Sequence, residues 1–140
     1  MKSLLNLGPK TPLSELKRSV SWFTVVGAAA ALTHYCIAVG LEAGTELAPA
    51  WANLAGFLFG FPVSYFGHKT FSFAQHNTSH SQALPRFFMV AAGGFIANQV
   101  MVLGALHITF LPFWLVLGIV MMIVAVSSYV LGRRWAFKSR

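Results

Sequence analysis

Long uncharged stretches, separated by short polar ones, organise this chain. Residues 19–41 contain no Lys, Arg, Asp or Glu, and neither do residues 47–68. Residues 87–132 are uncharged too, a run long enough for two helices with a turn near 107–112. A hydrocarbon core takes about 20 apolar residues per helix. Inside it, a helix satisfies its own backbone hydrogen bonds. The pattern therefore predicts an all-α membrane protein with four transmembrane helices, near 20–40, 50–67, 87–106 and 113–132. Residues 1–19 read as a cytoplasmic N-terminal segment, with a short interfacial helix after Pro12 capped by Ser14. Residues 20–140 read as a single four-helix membrane domain, and the polar stretch 74–85 as its central loop. The first span does not read as a cleaved signal, because its apolar run continues past Ala28, Ala29 and Ala30.

Composition sharpens this picture. The chain is 56% hydrophobic and 9% charged, with three acidic residues; soluble domains carry about 25% charged residues. The net charge of +7 does not read as nucleic-acid binding, since the few charges lie between long apolar runs. With four spans, one side collects all ten basic residues: Lys2, Lys10, Lys17, Arg18, Lys69, Arg86, Arg133, Arg134, Lys138 and Arg140. The connections on the other side hold Glu42, Glu46 and His107. Basic residues stay on the cytoplasmic side, so both termini are predicted there. A dual-topology protein would show little such bias.

The chain also repeats a phrase. SYFGHKTFSF, from Ser64, returns as SYVLGRRWAF, from Ser128. Arg18 with the aromatics after it is matched by Arg86 with Phe87 and Phe88. Two spans per half make the halves parallel repeats related by an axis along the membrane normal. Small residues recur at helical spacing: Gly27, Ala31, His34 and Ala38 in the first helix; Gly56, Gly60, Ser64 and His68 in the second; Gly94, Asn98, Met101 and Ala105 in the third. Such ladders let helix backbones approach closely in lipid. They turn His34, Asn53, Ser64, Asn98 and Gln99 into the bundle. Interhelical hydrogen bonding alone accounts for Ser64 and Asn98; an ionisable His34 within a span points to function. Pro62 is expected to kink the second helix.

Basic and aromatic residues at a cytoplasmic helix end are ordinary anchors. The repeated spacing adds a second reading, in which Lys69 and Arg133 together hold an anion: Arg133 as a fork, Lys69 as a point charge. Tyr65 and Tyr129 donate from just below headgroup level, and Phe71 and Trp135 offer apolar faces to a sugar ring or a lipid chain. No acidic residue lies in any span, and neither a nucleophile–base pair nor a nucleotide loop is present. That pattern reads as a transporter rather than an enzyme, and no cofactor is implied. His76 and His80 stand four apart without further ligands nearby, so no metal site is expected; Cys36 has no disulfide partner.

These residues resemble the GtrA-like family of small bacterial membrane proteins. The resemblance covers about residues 16–137 and rests on VGAAAALTHY, VSYFGHKTFSF and the order and repetition of the motifs. Many members carry an Asn just before the basic residue, where this chain has His68 and Gly132. The resemblance implies translocation of a polyprenyl-phosphate-linked sugar across the bacterial cytoplasmic membrane, for glycosylation of surface polysaccharide, beside a membrane glycosyltransferase. In that reading Lys69, Arg133, Arg134 and Arg86 capture phosphate. His34, Asn53, Ser64, Tyr65, His68, Asn98, Gln99 and Tyr129 form the polar path. Four helices enclose little space, which favours a homodimer. Two other classes compete: a scaffold that recruits or stabilises the glycosyltransferase, and a small channel or exporter, which the one-sided charge disfavours.

Overall fold

The computed structural model describes residues 13–72 and 79–136; the side chains at 72, 129 and 131–136 lie outside that description. The described chain forms four helices, α1 (Leu13–Gly44), α2 (Pro49–Gly67), α3 (His80–Ile108) and α4 (Phe113–Ala136), with a π-helical turn, His68–Ser72, continuing α2. The expected interfacial helix and first span are one helix of 32 residues. No Gly or Pro interrupts residues 13–26, so nothing in the backbone separates the two. Ser14 lies within its first turn rather than outside it as a cap. Pro49 starts α2, where a missing N–H costs nothing. Pro62 stands inside α2, which continues through it to Gly67.

α3 begins at His80, so the second half of the expected polar loop is helical. Hydropathy misplaces that boundary because a helix can project beyond the apolar layer, where its polar side chains meet water. α1 and α3 are long and apolar enough to cross a membrane, and Phe113–Ser128 of α4 forms a shorter apolar stretch. α2 has 19 residues and no charged side chain. Phe59, Val90, Ile96, Phe110 and Met122 all face outward, as an apolar solvent requires.

Consecutive helices run antiparallel. Descending α1 and ascending α2 meet as Val26 with Gly67, Ala30 with Gly60, and His34 and Ala38 with Gly56. A Cβ on Gly56 would stand 2.5 Å from both Cδ2 and the backbone oxygen of His34. Glycine is therefore required there for close approach. The packing register of α1 is Val26, Ala30, His34, Ala38, not the expected one through Gly27 and Ala31; a Cβ on Gly27 would meet nothing within 4 Å. On α3 the buried position is Val102, completely buried, and not Met101, which is 38% exposed. Both slips have one cause: small residues crowd these helices, and size alone does not select the face.

A tight apolar core closes one end of the bundle. It joins Ala38, Ala52, Val102, Phe113, Val116, Leu117 and Val120, beside the turns between α1 and α2 and between α3 and α4. The start of α1, the end of α2 and the start of α3 share the opposite end, which carries Lys17, Arg18, Lys69 and Arg86.

Candidate functional site

Just below the apolar core, three helices meet through polar side chains. His34 Nε2 lies 2.7 Å from Asn53 Oδ1. Asn53 Nδ2 donates to Asn98 Oδ1 at 2.9 Å and to Gln99 Oε1 at 2.6 Å. Gln99 Nε2 donates to the Ala50 carbonyl at 3.0 Å. Asn53 is completely buried and Asn98 nearly so. Four of the residues expected to point into the bundle thus form one connected layer across α1, α2 and α3. Its position follows from α2: Asn53 lies one helical turn before Gly56, on the face that the glycines press against α1.

Beyond this layer, toward the basic end, lies a cavity of about 250 Å³ lined by all four helices. His34, Ser64 and Asn98 contribute its polar wall. Phe57, Phe61 and Phe95 contribute an aromatic wall, and Gly94, Met121 and Val124 also line it; Gly94 is exposed, so the cavity opens outward. The aromatic side extends along α2 and α3: Phe57 stacks on Phe95 at 4.5 Å, and Phe61 meets Phe88 edge-on at 5.3 Å. Such ring pairs prefer offset or edge-on geometry because of their quadrupoles. Ser64 therefore has a place in the site that a packing role does not require.

Nearer the basic end, Tyr65 is buried and its Oη lies 2.8 Å from His80 Nδ1. Tyr65 is thus held by α3, not free to reach a headgroup. His68 is buried between the rings of Phe23 and Phe87; this burial lowers its pKa from the ordinary 6.5. Lys69 is half-buried on the π-helical turn, and Arg86 is exposed on α3. Phe71, half-exposed, stacks on Trp22 at 4.8 Å, so one of its faces is already covered. Tyr129, Arg133, Arg134 and Trp135 fall where side chains lie outside the description.

Several contributors were not singled out from the sequence. Tyr35 Oη donates to the Trp114 carbonyl at 3.0 Å and ties α1 to the start of α4. Gly67, Trp22 and the ring pairs along α2 and α3 also escaped notice. The four-residue spacing of Phe57, Phe61 and Tyr65 is the signal that finds the aromatic wall. A backbone acceptor such as the Ala50 carbonyl leaves no such signal.

A connected polar layer, an adjoining cavity and a basic end are held together by the apolar helices of a membrane protein. No curated protein and no solved structure matches the chain. Residues 22–137 match the GtrA/DPMS transmembrane domain, and the chain belongs to that family.

Proposed function

We propose that the protein translocates a polyprenyl-phosphate-linked sugar across the bacterial cytoplasmic membrane, with both termini in the cytoplasm. The family is associated with movement of such lipids. The observation that carries the reading is the cavity: it lies among all four helices on the basic side of the core, opens outward past exposed Gly94, and combines a few polar groups with aromatic rings. The substrate has three parts with different solvents. Its phosphate suits Lys69 and Arg86, joined in this reading by Arg133 and Arg134. The sugar suits the cavity, where His34, Ser64 and Asn98 offer hydrogen bonds and the phenylalanines offer ring faces. The isoprenoid tail stays in lipid along the outward apolar surface.

The core beyond His34 blocks the way to the far side in this conformation. Translocation then requires the helices around the core to separate and close again below the sugar. Between α1 and α4 the Tyr35–Trp114 hydrogen bond is one link that such a movement breaks. Basic residues at the cytoplasmic entrance give the phosphate an electrostatic reason to dock there first.

Purified protein in vesicles tests this. Labelled polyprenyl-phosphate hexose is expected to cross faster with protein than without, and more slowly after His34→Ala or Lys69→Ala. If vesicles show no transport while the double variant still supports glycosylation in cells, the role is recruitment or stabilisation of a glycosyltransferase.

A further inference from the structure

The polar layer has a direction, and its fixed point is a backbone carbonyl. An amide side chain can be turned end for end without changing its shape, so a chain of amides alone has two equivalent hydrogen-bond senses. Here the ambiguity is removed at one end. The Ala50 carbonyl only accepts, so the Gln99 atom 3.0 Å from it is the NH2 group. The other end of Gln99 must then be Oε1, which accepts from Asn53 Nδ2. Asn53 Nδ2 serves Asn98 Oδ1 as well, which leaves Asn53 Oδ1 facing His34. An oxygen there accepts, so His34 Nε2 carries the proton.

This order decides what the cavity presents. A neutral imidazole protonated at Nε2 is bare at Nδ1. Among the described residues His34 bonds only to Asn53, through Nε2, and Asn98 Nδ2 and Ser64 Oγ meet no hydrogen-bond partner, yet no buried side-chain nitrogen or oxygen there lacks one. These three atoms therefore reach open space, and the space their residues share is the cavity. Its polar wall is thus an acceptor on α1, a donor on α3 and a hydroxyl on α2.

We propose that Gln99 is a positioning residue that fixes the His34 tautomer through Asn53, so that the cavity offers an acceptor at Nδ1 and selects a ligand whose hydroxyl donates there. The ligand class rests on the translocation reading above; the tautomer does not. A neutral polyol satisfies all three atoms, donating to Nδ1 while another of its oxygens accepts from Asn98 Nδ2. A group that only accepts, such as a keto or ether oxygen, cannot pair with Nδ1. Gln99 does not line the cavity, so its effect on selection passes through Asn53 and His34.

Nitrogen NMR on histidine-labelled protein in lipid nanodiscs tests the proposal, with His34 assigned by loss of its signals in His34→Gln. At alkaline pH the wild type should show a protonated Nε2 and a bare Nδ1. The Gln99→Leu variant should lose the single-tautomer spectrum and show both forms, because Asn53 and Asn98 can then reverse together. Adding geranyl-phosphate glucose to the wild type should move the bare Nδ1 resonance upfield and leave Nε2 in place. A proton on Nδ1 in the wild type overturns the relay even if Gln99→Leu does not fold. A folded Gln99→Leu that keeps one tautomer overturns the role of Gln99. A correct tautomer with an unmoved Nδ1 on adding the probe overturns the hydroxyl selection. Vesicle transport is read separately, so a failed tautomer and a failed transport reading are distinguishable.

Discussion

Glycines of α2 and glycines of α3 meet opposite surroundings. Gly56, Gly60 and Gly67 press on α1, and any Cβ there would come within 2.5 to 3.0 Å of His34, Ala30 or Val26. Gly93, Gly94 and Gly104 on α3 have nothing within 4 Å of a Cβ. One residue type thus closes an interface on α2 and leaves open space on α3. The sequence repeat suggests two equal halves, but the packing is unequal. α1 and α2 form a tight pair that carries His34 and Asn53, whereas Gly94 on α3 borders the cavity. A bundle with one fixed pair and one looser side has somewhere to admit a ligand without dissolving its own core.

The strongest attempt to break this contrast is Gly56→Leu. The His34 backbone oxygen cannot withdraw as a side-chain tip could, so a loss of about 3 kcal/mol is expected, read as earlier unfolding in a denaturant titration. Asn53→Leu comes next. It strips His34, Asn98 and Gln99 of a shared partner, and a loss of about 2 kcal/mol is expected by the same titration. An unchanged midpoint would show that the layer contributes little to joining α1, α2 and α3. Gly93→Ala should have the reverse sign, a gain of up to about 1 kcal/mol, since the site is open and alanine is the better helix former.

The smallest effect concerns pH. Burial holds the folded-state pKa of His68 below 6.5, so the unfolded chain takes up this proton first as pH falls. The stability linked to His68 is complete above pH 6.5 and declines as acidity increases through the lowered folded-state value. His68→Phe should flatten the difference in melting temperature between about pH 8 and about pH 5.

Much of this arrangement was legible in the sequence, for reasons the residues supply. The gaps in charge delimit four helices because an apolar solvent tolerates few ionised groups. His34, Asn53, Asn98 and Gln99 point inward because lipid offers them no partners. The helix faces were less legible. Gly27 and Val26 are adjacent and both suit a packed face, and only the mate chosen by Gly67 settles which is used. Helix starts at Leu13 and His80 were hidden because hydropathy marks the membrane and not the helix. The sense of the hydrogen-bond chain was hidden too, since it depends on a carbonyl that every residue possesses.

Transport by Gly94→Leu measures the central claim most directly. Its Cβ meets nothing within 4 Å, and the rest of the leucine occupies part of a cavity of about 250 Å³. The expected result is a protein at least as stable as the wild type whose vesicles pass labelled polyprenyl-phosphate hexose no faster than empty ones. A stable Gly94→Leu protein that transports at the wild-type rate would contradict a sugar path through this cavity.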